Sequence, residues 1–561
     1  MAPRTLDIMQ SLQEAVALHQ QGRLREAEKL YGRVLKVAPD NFDALHLAGL
    51  IKAQSGQMGE AYRLMAAAVK INGQAPDAWT NLANVLHALK RDGEALDCLD
   101  KALALKPGDA EILRLRGNAL LSLQRAEEAL ASFDAALARA PRHGETLLNR
   151  GTALAALGRH EQALADFDAA LQQAPQHPQV LYNRGTALLA VNRSSEALAA
   201  FDRALAVAPN NAAGWNNRGR ALQNLNRHQE AVASFDKALA LDKNYADAHS
   251  NRALSLLTLG DLRRGFAEYE WRWKRSGMSD LRRSYRGRLW LGEYPLARKT
   301  ILLAAEQGLG DSIQFVRYAP LLARDGAKVL VEVQPELKAL LQGAAGVAAV
   351  FARGETLPAY DVYCPLGSLP LALNTDQTTI PAEIPYLRAD EARLAKWRPR
   401  IDALPGKRIA FACAGHARHP NDRNRSIALK SLAPLFERAG LSFVSIQRDL
   451  RDDDAGVLGT LGNVTNVGDA LADMADTAAV TALCDLTLAV DTSVVHLAGA
   501  LGRPVWVLVP FSPDWRWTLS GERSPWYPQA RLFRQPALGD WGSVIARVDA
   551  ALAELTRSAP L

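Results

Sequence analysis

The sequence predicts an α-solenoid followed by two α/β units in tandem. Three observations carry that expectation. Pro39, Pro107, Pro141, Pro175 and Pro209 stand at multiples of 34 residues, with Gly73 and Lys243 in the two remaining slots. From Lys299 onward, short apolar β-branched runs alternate with helical stretches, the pattern of parallel sheets. Each α/β unit opens on a strand that ends in a glycine-rich or polar turn, where open parallel sheets bind ligands.

The period runs through residues 8 to 275. Alanines recur at Ala27, Ala61, Ala95, Ala129, Ala163, Ala197 and Ala231. Small residues recur at Gly49, Ala83, Gly117, Gly151, Gly185, Gly219 and Ala253, and large ones at Tyr31, Met65, Leu99, Phe133, Phe167, Phe201, Phe235 and Tyr269. Each unit reads as two helices that approach at the small residue and are filled by the large one. The proline reads as the stop of the second helix, since it cannot continue the hydrogen-bond ladder. Gly22-Arg-Leu-Arg-Glu-Ala27 and Gly158-Arg-His-Glu-Gln-Ala163 read as turns inside a unit. The count is eight helix pairs, the last a degenerate one over Tyr245–Lys274. A 34-residue period of this kind resembles the tetratricopeptide repeat, whose units stack because none buries its apolar face alone.

Two positions before each small residue stand Leu47, Asn81, Leu115, Asn149, Asn183, Asn217 and Asn251. A carboxamide both donates and accepts, so the run Asn149, Asn183, Asn217, Asn251 is the candidate acceptor-peptide ladder, gripping an extended backbone without reading its side chains. It resembles the asparagine ladder of O-linked N-acetylglucosamine transferases. Asparagine in an ordinary repeat is the competing reading.

After the repeats, Tyr269-Glu-Trp-Arg-Trp-Lys-Arg275, the break at Ser276-Gly-Met-Ser279 and Leu289-Trp-Leu-Gly-Glu-Tyr-Pro295 read as a packed aromatic and basic joint. Strands are expected at Thr300–Ala304, Lys328–Val333, Tyr360–Cys364, Arg408–Cys413, Leu441–Ile446, in a short run ended by Asn466-Val-Gly-Asp469, at Leu486–Val490 and within Pro504–Val509. Helices are expected at Ser312–Ala323 (broken at Pro320), Leu429–Ala439, Ala475–Cys484 and Ser543–Leu555. The resulting domains are 1–275 (repeats), 276–298 (joint), 299–395 and 396–561 (the two α/β halves).

Asp491-Thr-Ser-Val-Val-His-Leu-Ala-Gly-Ala-Leu501 is a turn between two buried strands that opens a helix. The first N–H groups of a helix lack partners and its dipole is positive there, so the turn suits a diphosphate. A ligand-free turn is the alternative. Gly310-Asp311 before a helix, the Asp491-Thr-Ser-x-x-His496 turn and the loop ending Asn424-Arg-Ser426 together resemble the heptosyltransferase-type glycosyltransferases of family 9. The resemblance covers about Lys299 to Leu555. It implies a GT-B fold of two Rossmann-like domains, first half on the acceptor side and second on the donor side. It also implies a nucleotide-diphosphate sugar as co-substrate, with no further cofactor and no bound metal. Within it Asp311 is the catalytic-base candidate, with helix capping as its other reading. Donor and phosphate candidates are Gly308, Gly310, His416, Arg423, Arg425, Ser426, Gln447, Asp491, Thr492, Ser493 and His496. Trp515 and Trp517 are either ring-stacking platforms or core. Two departures stand out: Ser493 occupies a position that is glycine in many relatives, and the first half is short.

Composition narrows the classes. Of 561 residues, 48% are hydrophobic and 22% charged, as for a chain with real cores. The net charge of +6 is spread, with no basic block of the kind nucleic acid needs. Cys98, Cys364, Cys413 and Cys484 form no pairing or metal spacing. His416-x-x-His419 lacks a third ligand, and Asp452-Asp-Asp454 reads as a solvated loop. No apolar run is long enough to span a membrane, and the expected location is cytoplasmic. The expected function is transfer of a sugar to a protein held by the repeats. The alternatives are a catalytically inactive scaffold or a transferase for a lipopolysaccharide-type acceptor.

Overall fold

The computed structural model describes residues 7–275, 285–417 and 421–557. The break at Ser276-Gly-Met-Ser279, Arg418 and His419 of the polar loop, and the extreme N-terminus lie outside them. The chain divides into two compact units, Met1–Gly214 and Trp215–Leu561. The border between them falls inside the repeats, whose helix pairs continue to Tyr269, because the last helix pairs belong with the α/β region.

The repeats form eight helix pairs, from Ile8–Gln20 with Leu24–Val37 to Ala246–Thr258 with Leu262–Tyr269. Why the small and large positions alternate is explicit in the geometry. A Cβ placed on Gly117, Gly151 or Gly185 would come 2.4, 2.6 or 2.7 Å from the ring of Phe133, Phe167 or Phe201. All three rings are fully buried, so the ring occupies the space the glycine leaves.

The expectation about proline needs correction. Helices end at Ile71 and Leu241, two residues before Gly73 and Lys243, just as they end at Leu105 and Arg139 before Pro107 and Pro141. The stop is the residue after each helix, which leaves helical geometry in every unit (φ −129° at Asn72 and −132° at Lys106). Proline is compatible with that stop and is not its cause.

A second periodic set, Arg116, Arg150 and Arg184, ties helix to helix. Arg150 reaches Asp134 at 2.9 Å and Asp166 at 2.6 Å. Arg116 pairs with Asp100 at 2.7 Å and Arg184 with Asp168 at 2.6 Å. In the second unit Arg252 repeats the arrangement with Asp236 and Glu268, both at 2.6 Å.

The α/β region holds two fully parallel sheets. The first comprises β1 (Arg288–Leu289), β2 (Thr300–Ala304), β3 (Lys328–Val333), β4 (Ala349–Ala352) and β5 (Val362–Pro365), in the order β1-β5-β2-β3-β4. Its edge strand β1 comes from the expected joint, which is thus part of the sheet. The second comprises β6 (Lys407–Ala412), β7 (Leu441–Ser445), β8 (Val464–Asn466), β9 (Leu486–Val490), β10 (Val505–Val509) and β11 (Ala530–Arg534). Its order is β8-β7-β6-β9-β10-β11, the 3-2-1-4-5-6 order of doubly wound nucleotide-binding sheets.

The expected division at 395/396 falls inside helix Glu391–Asp402. That helix packs on helix Met474–Leu483 of the second half. Asp476, fully buried, takes Arg393 at 3.0 Å, Lys396 at 2.8 Å and the Trp397 indole at 3.0 Å.

Pro320 behaves as expected. Helix Leu309–Phe315 gives way to a 3₁₀ turn, and a new helix Ala319–Arg324 starts with the proline at its N-terminal end. One apolar core runs from the first sheet (Ile301, Val331) through the helix around Val495 to the second sheet (Val507). No helix of the described residues is long and apolar enough to cross a membrane. All four cysteines are buried free thiols.

Candidate functional site

In a doubly wound sheet the ligand crevice lies beyond the carboxyl ends of the two strands from which the chain winds in opposite directions. In the second sheet these are β6 and β9. Beyond β6 run Cys413, Ala414 and Gly415; beyond β9 runs the Asp491 turn.

The structure brings the two together. Arg425, on a short helix Asp422–Arg425, donates from Nη1 to the backbone oxygen of Asp491 at 2.8 Å. A Cβ on Gly415 would come 2.3 Å from the same guanidinium, so glycine lets the arginine lie flat against the loop. Ser426 and Gln447 are buried and hold that loop from behind. The backbone N–H of Gly415 donates to Ser426 Oγ at 3.0 Å, and that of Ala414 to Gln447 Oε1 at 3.2 Å. Both side chains thereby position the crevice. Asp422 locks the arrangement: Ser426 Oγ donates to it at 2.8 Å and Arg451 at 2.5 Å. Arg423 and His416 are exposed nearby.

Helix Ser493–Ala500 begins without a side-chain cap at Thr492. The hydroxyl of Thr492 is buried without a hydrogen bond. So is Nε of Arg425, with Asp422 3.7 Å away. Orphan helix N–H groups, an unpartnered hydroxyl and an arginine with donor capacity to spare are the elements of an anion site. Ser493 adopts the turn without left-handed backbone geometry, so the serine is accommodated there without strain. Asp491 sits at the strand end. Burial and the neighbouring charge of Asp514 push its carboxyl up to about 6, against the pull of Trp517, Arg425 and Arg516.

The Gly-Asp turn lies directly against the Asp491 turn. A Cβ on Gly310 would come 2.7 Å from the His496 ring and 3.5 Å from the Ser493 Cα, so only glycine allows this approach. Gly308 is exposed just before it. Both oxygens of Asp311 are engaged. Oδ2 accepts from the Gly308 N–H at 3.0 Å, the capping role; Oδ1 accepts from Nη2 of Arg516. Arg516 is itself buried, and pairs with Asp514 at 3.0 Å and with Gln314.

His496 is a packed residue. Its Nδ1 lies 3.0 Å from the Tyr527 hydroxyl and its ring stacks on Trp517 at 5.6 Å. Burial and the guanidiniums of Arg516, Arg317 and Arg425 hold its pKa well below the ordinary value. It offers a neutral N–H and no positive charge.

Trp515 and Trp517 are buried, at 5% and 0% exposure, and pack as core, with Trp515 edge-on to Phe266 and Trp526. The stacking-platform reading of these two rings is thereby removed. Asp454 is also corrected. It is buried in helix Asp452–Leu458 and accepts from the Leu429 N–H at 2.7 Å, so it is not solvated.

The sequence reading passed over Arg516, Arg317 and Arg272. Arg317 is buried at 3% exposure and donates to the Trp526 carbonyl at 2.9 Å and the Tyr386 hydroxyl at 3.1 Å, joining the two halves. The only signal available was their setting: Arg516 and Arg272 each lie between two tryptophans.

The asparagines are partly spent. Asn149 Nδ2 donates to Asn118 at 2.8 Å, Asn183 Nδ2 to Thr152 at 3.1 Å and Asn251 Nδ2 to Asn216 at 2.9 Å. Asn217 is buried at 7% exposure. In the second unit the last repeats touch the loop after β10. Asn226 donates to the Phe511 carbonyl at 2.6 Å, and Ser512 to that of Gln223 at 3.5 Å.

Models of the tetratricopeptide repeat match residues 12–76, 114–178, 182–246 and 219–280, and a second such model matches 52–119. Protein FlbA of Caulobacter vibrioides is 27% identical over 330 residues, 54% of this chain and 54% of FlbA. Human tetratricopeptide repeat protein 7A is 34% identical over 85 residues, 15% of this chain and 10% of that protein. The chain thus spans about half the length of the first of these relatives and about a tenth of the second. Among solved structures, a tetratricopeptide repeat protein from Parabacteroides merdae is 18% identical with a TM-score of 0.37, covering 44% of this chain and 98% of its own. YrrB, described as a TPR protein with an unusual peptide-binding site, is 21% identical with a TM-score of 0.29, covering 32% and 92%. The N-terminal region of this chain is built of tetratricopeptide repeats, and such repeats suggest protein or peptide partners.

Proposed function

We propose that this chain is a nucleotide-sugar-dependent glycosyltransferase of GT-B type that acts on a protein or peptide brought by the repeats. The observation that carries the reading is the crevice between β6 and β9. There Arg425, the buried unpartnered hydroxyl of Thr492 and an uncapped helix start converge where a doubly wound sheet binds a nucleotide. In transfer, Arg425 and the first N–H groups of helix Ser493–Ala500 take the charge that develops on the departing diphosphate. His496 supplies a neutral hydrogen bond, and Asp311 holds Arg516 and the Gly308 turn against it.

Thermal denaturation of the full chain with ADP, GDP and UDP tests the reading. At about a hundredfold excess over its dissociation constant, the cognate diphosphate stabilises by about 2.7 kcal/mol. Arg425→Ala abolishes that gain. Absence of stabilisation by any of the three, or an unchanged gain in Arg425→Ala, sinks the proposal. A second reading, a partner-binding scaffold with a retired α/β region, is favoured by the full engagement of Asp311, the base candidate.

A further inference from the structure

The first sheet has a crevice of its own, and its contents differ. From β2 the chain runs outward through β3 and β4 and returns to β5 on the other side of β2, so the strand order reverses between these two neighbours. Beyond β2 lies Glu306; beyond β5 lie Gly367 and Ser368. Glu306 Oε1 accepts from the Gly367 N–H at 3.1 Å and from Arg272 Nη2 at 3.0 Å. A Cβ on Gly367 would come 2.6 Å from that oxygen, so the glycine is what lets the carboxylate in. Arg272 is anchored in turn by Glu270 at 2.6 Å and the Ser368 hydroxyl at 2.7 Å. Glu306 is therefore held rigidly by one oxygen.

The other oxygen, Oε2, takes no hydrogen bond among the described residues, and it is not among the side-chain atoms sealed from solvent without a partner. This is the reverse of Asp311, whose two oxygens are both engaged.

Resting on the transfer reading, we propose that Glu306, and not Asp311, takes the proton of the acceptor. As the acceptor oxygen bonds to the anomeric carbon, the bond from that carbon to the diphosphate oxygen breaks. Its electron pair leaves on the diphosphate, and the hydroxyl proton passes to Glu306 Oε2. The first crevice is then the acceptor side and the second the donor side.

The charges around Glu306 fit this duty. Burial pushes its carboxyl up, Arg272 pulls it down and the nearby charge of Asp311 pushes it up again, with a net rise. Glu270 and the ring of Tyr269 border Arg272, and Cys364 on β5 is a neutral thiol pushed well up by burial. A carboxyl raised above its ordinary range is a stronger proton acceptor than an unperturbed one. Asp311 also pairs with Arg516 and Arg516 with Asp514, whose charge is felt by Asp491. An unbroken chain of charges thus links the two crevices.

The test uses the full chain with ADP-glucose, GDP-mannose and UDP-N-acetylglucosamine, with either water or sodium azide as acceptor. Azide carries no proton to lose. Glu306→Gln is expected to lower donor hydrolysis by water at least about 100-fold, while glycosyl azide formation stays within about threefold and ADP, GDP or UDP binding is unchanged. The azide arm also reports a folded chain. Full hydrolysis by Glu306→Gln overturns the assignment alone. Loss of both hydrolysis and azide transfer in a variant that still binds the diphosphate overturns it in favour of a structural role. A wild-type chain that turns over no donor overturns the transfer reading and this assignment with it.

Discussion

Arg150 in the repeats and Arg516 in the α/β region do the same thing in two settings. Each guanidinium joins two aspartates, Arg150 at 2.9 and 2.6 Å, Arg516 at 3.0 and 2.5 Å. Arg150 has counterparts 34 residues away in both directions, and its side chain is 27% exposed. Arg516 has no counterpart, and its side chain is 9% exposed. A partly hydrated ion pair is worth little, because water offers nearly the same stabilisation to the separated charges. A buried pair is expensive to break, because the abandoned charge cannot be rehydrated. The repeats spread their polar interactions over many small equivalent terms, whereas the α/β region concentrates them in a few that are not interchangeable.

Paired substitutions give the largest expected contrast. Arg516→Ala strands Asp311 and Asp514 beside a buried core, and the expected loss is about 3–5 kcal/mol. Arg150→Ala is expected to cost less, about 1–3 kcal/mol: Asp134 is half exposed and rehydrates, while the buried Asp166 loses both its bonds to the guanidinium. Urea unfolding of the three chains measures both. Equal losses would break the distinction between the two regions.

That distinction also decides what the sequence discloses. The eight helix pairs, the small and large positions and the turns are legible because each is stated seven or eight times at one spacing. The arginine set at 116, 150 and 184 is stated at the same spacing, one residue after Leu115, Asn149 and Asn183, and is equally legible. In the α/β region the strands are legible from apolar runs, except β1, β4 and β11, which are short or at an edge. Which loop touches which is not written in any local pattern. The contact of Gly310 with His496 spans 186 residues of chain, and the Arg516–Asp311 pair 205. The nearness of the two turns followed only from the family resemblance. The burial of Ser426 and Gln447 behind their crevice, and the second crevice at Glu306, followed from nothing local. The border of the compact units at 214/215 is unreadable for the same reason: the repeat pattern continues past it, and only packing assigns the last pairs to the α/β region.

Acid sharpens the comparison at an intermediate magnitude. His228, in the last repeats that belong with the α/β unit, is 4% exposed, and burial pulls its pKa down to about 4. His496 is displaced in the same direction. In the unfolded chain both titrate near 6.5, so between about pH 6.5 and pH 4 the unfolded state binds protons that the folded state refuses. Stability contributed by their neutral forms is complete above pH 6.5 and is lost as pH falls. For His228 the expected loss at pH 5 is about 2 kcal/mol relative to pH 8. A His228→Gln chain should lose about that much less over the same interval, measured by urea unfolding at the two pH values. An identical pH dependence in the variant would show that His228 is not what acid attacks.

The smallest effect belongs to the repeats alone, and it tests whether their units are equivalent. Each intra-repeat turn has one residue of left-handed geometry: Gly22, Gly56, Lys90, Gln124, Gly158, Asn192, Asn226 and Gly260, with φ between 58° and 84°. The residue after it donates its N–H back into the helix, as Arg91 does to the Leu86 carbonyl and Arg159 to that of Leu154, at 2.9 and 2.8 Å. Lys90 and Gln124 therefore hold a conformation that costs an L-residue about 1–2 kcal/mol and costs glycine nothing sterically. Part of that gain is cancelled by the greater freedom glycine gives the unfolded chain. Lys90→Gly should stabilise the first unit by about 0.5–1 kcal/mol, and Gly158→Ala should destabilise it by a similar amount. Lys90 is exposed, so no lost packing confuses the reading. If Lys90→Gly instead destabilises, the lysine stem contributes something the other seven turns lack, and the units are not interchangeable after all.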